Sequence, residues 1–307
     1  MCPMTMPADP QPQPSRQATL ADWLEGARPH TWANAFSPVI AGSGAAAWLG
    51  GFQLGRALLA GVVAWALIIG VNFANDYSDG IRGTDDARSG PQRLTGSGLV
   101  PPRRVKAAAF TCFTVAAAAG IWLSLLSSWW FIVVGAACIA GAWFYTGGKH
   151  PYGYRGLGEV AVFIFFGLVA VLGTQFAQAG RIDWVGALCA VIIGGLSAAV
   201  NLANNLRDIP TDSQTGKITL AVRLGDSGTR RLFVLLASLP ALASLALCFA
   251  TWWAVLGLAA VPLLVVGARP VARGAQGRAL IPVLGATGRA ILVWSVLTAV
   301  ALAFAGA

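Results

Sequence analysis

Nine long apolar segments make up most of this chain, and they constrain its fold more than any other feature. They lie at about residues 32–49, 57–75, 105–126, 129–146, 157–179, 184–205, 232–250, 252–268 and 290–305. Each approaches the roughly 20 residues that an α-helix needs to cross the hydrocarbon core of a bilayer. Only 11% of the residues are charged, whereas soluble domains carry roughly 25%. We therefore predict an all-α polytopic membrane protein with nine transmembrane helices.

The positions of the basic residues predict the orientation of these helices. If the N-terminus is cytoplasmic, all of the 21 Lys and Arg residues except Arg56 and Arg181 fall on the cytoplasmic side. Such a bias is typical of cytoplasmic loops. We therefore predict a cytoplasmic N-terminus and an external C-terminus. The net charge of +9 is explained by this distribution, so we expect no nucleic-acid partner.

The chain divides into a tail and a membrane domain. Residues 1–19 are rich in Pro and Gln and lack an apolar core, so they are predicted to be a disordered tail rather than a signal peptide. Residues 20–307 form the predicted membrane domain. Its long loops, at about residues 77–104 and 206–230, both lie on the cytoplasmic side, where we expect them to cap a site.

A repeated polar pattern lies at the cytoplasmic ends of the second and sixth apolar segments. Residues 71–79 read VNFANDYSD, and residues 200–208 read VNLANNLRD, 129 positions further along the chain. At helical spacing the amides and carboxylates of each copy share one face of a helix. These residues are Asn72, Asn75, Asp76 and Asp79 in the first copy, and Asn201, Asn204, Asn205 and Asp208 in the second. We predict two half-sites in a parallel internal repeat, one half starting near the first helix and the other near the fifth.

Carboxylate and amide oxygens at a membrane boundary indicate a bound cation. Asp85 follows the first face and Asp212 follows the second, with Arg82, Arg93 and Lys217 close by in sequence. Mg²⁺ typically takes one or two carboxylates together with the phosphate oxygens of a substrate. This combination predicts a site for Mg²⁺ and for a diphosphate joined to an apolar chain. Loop carboxylates that merely pair with exposed basic residues are the alternative, and we favour that interpretation for Asp86 and Asp226.

Pro210 interrupts the second acidic pattern. The residue before a proline is disfavoured in helical geometry. The sequence therefore predicts a helix end between Asp208 and Asp212, which weakens the case for placing both on one helical face.

The motifs also carry a family resemblance. NDYSDGIRGTD at residues 75–85 resembles the first aspartate-rich motif of the UbiA superfamily of intramembrane prenyltransferases, and NNLRDIPTDSQTGK at residues 204–217 resembles the second. The usual first motif ends in an Asp where Gly83 stands here, and the nearest candidate is Asp85. That departure resembles the branch of the family that prenylates 1,4-dihydroxy-2-naphthoate in menaquinone synthesis. The similar segments extend to residues 27–42, 90–102, 151–167 and 216–225.

The resemblance implies transfer of a polyprenyl group from polyprenyl diphosphate to the naphthoate, with loss of its carboxylate, in a bacterial plasma membrane. It implies a cytoplasmic active site in which two Mg²⁺ ions are held by Asn75, Asp76, Asp79, Asp85, Asn204, Asp208 and Asp212. The catalytic residues would be Asp79, Asp208, Asp212 and Lys217. The substrates would contact Arg28, Arg93, Arg207, Lys149, Tyr152, Tyr154 and Arg155.

Several alternatives stay open at this point. Lys149, Tyr152, Tyr154 and Arg155 could instead form an interfacial anchor belt, and Glu159 suits a structural role as well as a catalytic one. A 4-hydroxybenzoate prenyltransferase is the second enzyme interpretation, although Gly83 breaks the Asp spacing expected for it. A transporter with an acidic cation site is the alternative from another class, but its ionisable residues would lie near the membrane midplane.

Overall fold

The computed structural model describes residues 16–83 and 93–306, and all regular structure in those residues is helical. Residues 1–15 of the predicted tail, and the predicted metal ligand Asp85, lie outside the described residues. Short 3₁₀ turns at Pro29–Thr31 and Tyr152–Arg155 precede α2 and α6. The helices are α1 Leu20–Gly26, α2 Ala33–Trp48, α3 Leu54–Gly80, α4 Pro102–Leu126, α5 Trp130–Phe144, α6 Gly158–Ala179, α7 Trp184–Gln214, α8 Leu220–Leu247, α9 Trp252–Ala272 and α10 Gly277–Gly306.

The helices confirm an all-α membrane protein. Seven of those described, α3, α4 and α6 to α10, are long and apolar enough to cross a bilayer. The other two that coincide with predicted segments, α2 with 16 residues and α5 with 15 residues, are shorter than a full span. Each of the nine predicted segments thus overlaps a helix in the described part of the chain.

Several helices extend beyond the apolar segments that predicted them. Helix α3 continues to Gly80 and α7 continues to Gln214, while α8 begins at Leu220 and α10 at Gly277. The predicted loops at residues 77–104 and 206–230 are therefore partly helical. Hydropathy detects only the part of a helix that lies in hydrocarbon, whereas the backbone hydrogen bonds continue past it.

The predicted helix end at Pro210 is wrong. Helix α7 runs through Pro210, at the cost of the hydrogen bond that its missing N–H would have donated and of crowding between its ring and the preceding turn. Beyond the proline, the helical pattern resumes, and the amide of Thr215 donates to the carbonyl oxygen of Thr211 at 3.1 Å. Asp208 and Asp212 consequently lie one turn apart on the same helix.

Helix α1 is fixed at its start and packs near the first polar pattern. Thr19 caps the helix in a reciprocal capping box with Asp22. The guanidinium of Arg16 donates two hydrogen bonds, at 2.7 and 2.6 Å, to the Asp22 carboxylate and holds the pKa of that group well below its usual range. Trp23 packs edge-on against Phe73 of α3, with ring centroids 5.6 Å apart.

Helix α7 lies at the centre of the bundle. In its most apolar stretch 72% of the residues are buried, compared with at most 44% in the other six long helices. Small residues allow close packing around it: a Cβ on Gly167 of α6 would lie 2.7 Å from the Cα of Gly194. On the other side, the buried indole of Trp294 donates to the Ser244 hydroxyl at 3.0 Å and joins α10 to α8. The second polar pattern is therefore built on the most enclosed helix.

Helix α6 contains an unusual internal segment. Residues Phe163–Leu172 form π turns, in which each hydrogen bond spans five residues and the helix widens. Phe165, Phe166, Val169 and Ala170 of this segment line an internal cavity. The π segment therefore forms part of a cavity wall rather than an ordinary packed helix face.

Candidate active site

The two acidic faces lie at the same end of the bundle, where Tyr154 connects them. Its hydroxyl donates to Oδ1 of Asp79 on the first face at 2.7 Å. The Nζ atom of Lys217 lies 5.4 Å from the centre of the Tyr154 ring and 3.5 Å from Oδ1 of Asp212 on the second face. The guanidinium of Arg82 lies 5.5 Å from the same ring centre. Tyr154 thus contacts Arg82, which follows the first face, and Lys217, which follows the second.

On the first face, Asn72 and Asn75 have different surroundings. The Asn72 amide donates to the carbonyl oxygen of Ala27 at 3.1 Å and to the hydroxyl of Thr31 at 3.0 Å, so it fixes the turn before α2. Asn75 Oδ1 accepts a hydrogen bond from the Thr146 hydroxyl at 2.7 Å. Because the hydroxyl is neutral, it orients the amide oxygen of Asn75 without cancelling any charge at the site.

Asp76 anchors a loop. Its two carboxylate oxygens accept hydrogen bonds from the backbone amides of Leu94 and Thr95, both at 2.8 Å. The residue is 1% exposed. These contacts suit a structural carboxylate that fixes the chain just after Arg93, and they give no support to the predicted metal contact of Asp76.

On the second face, a buried guanidinium holds two of the predicted metal ligands. Arg207 donates from Nε and Nη2 to the two oxygens of Asp208, at 2.7 and 2.8 Å, and from Nη2 to Oδ1 of Asn204 at 2.8 Å. The side chains of Arg207 and Asp208 are only 3% and 4% exposed. Asn205 instead donates to the buried Glu159 at 2.7 Å, which favours a structural role for Glu159.

A cavity of about 320 Å³ opens beside these faces. Its polar end is lined by Arg28, His30, Asn34, Asn72, Asn75, Tyr145, Tyr152, Asn201 and Asn204, and its apolar part by residues that include Ala60, Leu123, Phe131, Val134, Phe165 and Val169. Asn75 and Ala60 are fifteen residues apart on α3, a distance of about 22 Å along a helix. The cavity therefore joins a polar mouth to a deep apolar chamber.

Four of the seven predicted substrate contacts divide into two groups in the structure. Arg28 and Tyr152 line the cavity, whereas Lys149 and Arg155 are exposed and do not line it. Arg28 has a φ of +52°, and it is the one non-glycine residue with positive φ in the described ranges; such conformations cluster at functional sites. The Tyr152 hydroxyl donates to the carbonyl oxygen of Gly141 at 2.7 Å, and burial raises the pKa of Tyr152 to about 12, so it stays neutral.

Sequence reasoning did not assign three residues at this site. Arg82 donates to the carbonyl oxygens of Thr146 and Gly148, and so ties the end of the first face to the chain beyond α5. Thr146 orients Asn75, and the Tyr145 hydroxyl donates to Asn201 at 3.4 Å. The sequence position of Arg82 could have predicted its place at the site, because it follows the first polar pattern directly. Thr146 and Tyr145 had no such signal, because they lie 71 and 56 residues away in sequence from the asparagines that they contact.

The donor set suits a metal that a substrate helps to hold. In residues 16–83 and 93–306, no three His, Cys, Asp or Glu side chains come close enough to form a metal cage alone. The oxygens present are those of Asn75, Asp79, Asn204, Asp208 and Asp212. Mg²⁺ usually keeps several waters and binds through one or two carboxylates plus substrate phosphates, so these residues fit it.

Comparison with known proteins establishes the family. The model of the UbiA prenyltransferase family matches residues 35–277. This chain belongs to the UbiA prenyltransferase family. The 1,4-dihydroxy-2-naphthoate octaprenyltransferase of Mycobacterium tuberculosis is 59% identical to it over 287 residues, which cover 94% of this chain and 98% of that protein. The predicted resemblance to the UbiA family and to its naphthoate branch is confirmed.

Solved UbiA structures share the fold. The apo structure of a UbiA homolog from Aeropyrum pernix matches with a TM-score of 0.68 at 17% identity, over 85% of this chain and 94% of that one. A UbiA homolog from Archaeoglobus fulgidus, bound to GPP and Mg²⁺, matches with a TM-score of 0.58 at 14% identity, over 88% and 99% of the two chains. At these identities the similarity establishes the architecture of the helical bundle.

Proposed function

We propose that this UbiA-family protein transfers a polyprenyl group from a polyprenyl diphosphate to 1,4-dihydroxy-2-naphthoate, with loss of the carboxylate, to give demethylmenaquinol, the reduced form of demethylmenaquinone, for menaquinone synthesis. The observation that carries the proposal is the meeting of two Asn/Asp faces beside a polar mouth that leads into a deep apolar cavity. A diphosphate fits the mouth, and its prenyl chain fits the apolar part. The similarity to the M. tuberculosis enzyme favours the naphthoate as the acceptor.

We infer that two Mg²⁺ ions serve this reaction. Asn75 and Asp79 would hold metal from the first face, Asn204, Asp208 and Asp212 from the second, and Asp85 is a further predicted ligand. The A. fulgidus homolog was solved with Mg²⁺ and GPP, which supports a divalent metal in this family. When bound, Mg²⁺ supplies Lewis-acid stabilisation of the negative charge that develops on the leaving diphosphate.

The basic residues near the second face complete the proposed diphosphate subsite. Lys217 lies 3.5 Å from Asp212 and above the Tyr154 ring, so its charge is directed towards the space between the two faces. Arg207 donates to Asp208, and Arg93 begins the loop that Asp76 anchors. These cations stabilise the diphosphate as it departs. Tyr154 donates to Asp79 and orients that carboxylate.

The proposed reaction needs little covalent chemistry from the protein. The bond between the allylic carbon and the diphosphate oxygen breaks, and its electron pair leaves with the diphosphate. The ring carbon that carries the carboxylate then bonds to the allylic cation. The carboxylate departs as CO₂, and the electrons of its bond restore the aromatic ring. The chain's part is to position both substrates and to exclude water from the cation.

We assign the acceptor's carboxylate to Arg28, because Arg28 lines the same polar mouth as Asn75 and Asn204. The exposed position of Lys149 gives no support to its predicted acceptor contact. We expect Arg28→Gln to raise KM for the naphthoate with little change in the KM for prenyl diphosphate. Lys149→Gln is the matched control and should behave like the wild-type enzyme. Equal effects of the two substitutions would contradict the assignment.

We propose nine membrane spans, α2 to α10, with the N-terminus and the active site in the cytoplasm and a plasma-membrane location. The distribution of Lys and Arg supports this orientation. The parallel repeat is supported by a local likeness. In the first half the 3₁₀ turn Pro29–Thr31 precedes α2, and the next helix, α3, carries an Asn/Asp face. In the second half the turn Tyr152–Arg155 precedes α6, and the next helix, α7, carries the other face.

The deciding experiment is an assay of the purified protein with Mg²⁺, a prenyl diphosphate and one aromatic acceptor at a time. Turnover with 1,4-dihydroxy-2-naphthoate, accompanied by equimolar CO₂, is expected. If only 4-hydroxybenzoate is prenylated, 4-hydroxybenzoate and not the naphthoate is the acceptor. If no acceptor is prenylated and reconstituted vesicles instead show ion flux, the transporter interpretation replaces the enzyme.

A further inference from the structure

The Arg207 guanidinium is bonded to oxygens that the proposed metal site requires. It contacts both oxygens of Asp208 and the amide oxygen of Asn204, at 2.7 to 2.8 Å. All three residues belong to α7, and the ion pair is almost fully enclosed. The arrangement is local to the second face, because the position equivalent to Arg207 in the first face is Ser78.

A guanidinium and a divalent cation compete for the side-chain oxygens of Asp208 and Asn204. Bidentate donation directs two N–H groups of Arg207 at the two oxygens of Asp208, and a third bond uses Asn204. A metal bound at the same oxygens would lie close to a fixed positive charge in a poorly solvated site, where repulsion is strong. The guanidinium therefore weakens metal binding there unless it withdraws.

We propose that Arg207 is the resident counter-ion of the second half-site and exchanges with the metal. Before substrate binds, Arg207 neutralises Asp208 and keeps the oxygens of Asp208 and Asn204 in place. When metal and prenyl diphosphate enter together, Arg207 passes from the carboxylate to the diphosphate. This inference rests on the proposed metal-dependent function, and it makes Arg207 a positioning residue for the metal as well as a contact of the diphosphate.

The exchange predicts that metal and diphosphate bind cooperatively. Breaking a buried ion pair is costly, so metal alone gains little at this half-site. A diphosphate offers the planar guanidinium a new bidentate partner. Each ligand therefore lowers the cost of binding the other, and by linkage the effect is reciprocal.

The test uses Mn²⁺ as the metal and measures its binding by electron paramagnetic resonance, on the full-length protein in detergent. We expect Arg207→Met to bind Mn²⁺ without diphosphate about ten- to a hundredfold more tightly than the wild type, the range expected from losing charge-assisted hydrogen bonds. Inorganic diphosphate should tighten Mn²⁺ binding strongly in the wild type and only weakly in the variant. Arg207→Met should also melt at a lower temperature in EDTA and recover when Mn²⁺ is added.

Arg230→Met is the matched control. Arg230 makes the same kind of bidentate pair with Asp226, at 2.6 and 2.8 Å, but the Asp226 side chain is 53% exposed. Its loss should leave Mn²⁺ affinity unchanged. Arg207→Lys is the second variant, because it keeps the charge without the bidentate geometry and should give an intermediate affinity.

The results separate this inference from the proposed function. If wild type, Arg207→Met and Arg207→Lys bind Mn²⁺ with equal affinity, or if the variants bind it more weakly, the counter-ion exchange is overturned while the metal site stands. If the wild type binds no Mn²⁺ even with inorganic diphosphate, the metal-dependent function itself fails. Tighter binding in both Arg207 variants, with no change in Arg230→Met, supports the exchange.

Discussion

Tyr154→Phe tests how the two halves of the active site are joined. The substitution removes the hydroxyl that donates to Asp79 at 2.7 Å but keeps the ring between Arg82 and Lys217. A hydrogen bond to a charged group contributes about 1.5–3 kcal/mol, and 1.36 kcal/mol corresponds to a factor of ten. If the bond orients Asp79 in the transition state, kcat/KM for prenyl diphosphate should fall roughly ten- to a hundredfold.

The assay follows prenylation of the naphthoate at several Mg²⁺ concentrations. Because the hydroxyl acts through Asp79, we expect the Tyr154→Phe enzyme also to need more Mg²⁺ for half-maximal rate. Tyr77→Phe is the control, since Tyr77 lies on the same helix as Asp79 but stacks on Trp143. Wild-type kcat/KM and Mg²⁺ dependence in Tyr154→Phe would refute the idea that this hydroxyl orients a metal ligand.

Three further predictions concern the acidic faces and the orientation. Asp79→Ala and Asp208→Ala should each abolish turnover in folded protein, as checked by thermal melting, and near-normal activity of either would contradict two cooperating half-sites. Lys217→Ala should raise KM for prenyl diphosphate roughly ten- to a hundredfold through loss of a charge-assisted contact, and an unchanged KM would exclude that contact. Cysteines introduced at the exposed Ser97 and Ser213 should be labelled from the cytoplasmic side only, and labelling from opposite sides would contradict the parallel repeat.

The fold was predictable where hydrophobicity alone decides the structure. The apolar segments located every long helix in the described residues, because a helix that crosses a bilayer needs a continuous apolar sequence. They did not locate helix ends that lie in water. The extension of α7 to Gln214 depends on backbone hydrogen bonds that resume after Pro210, which sequence propensity does not reveal.

The site was predictable where a pattern repeats within the chain. The Asn and Asp positions of the two copies identified both faces, and Tyr154 contacts Asp79 of the first face and Lys217 after the second. Roles within each face were less accessible, because they depend on distant partners. Asp76 and Asp79 look alike in sequence, yet one anchors the backbone at Leu94 and the other accepts from Tyr154. Lys149 was assigned from its charge, but its exposure depends on how the turn before α6 folds.

The short length of α5 has a consequence for the surrounding lipid. Its 15 residues span about 22 Å, which is less than the roughly 30 Å of bilayer hydrocarbon. If α5 spans the membrane as proposed, lipid next to it must thin, or the helix ends must draw headgroups inward, and this hydrophobic mismatch costs a fraction of a kcal/mol per Å. Phe131, Val134 and Cys138 of α5 line the cavity. A span this short would place a thinned annulus of membrane beside a cavity wall, and it would shorten the path through hydrocarbon for an amphiphile with a charged head.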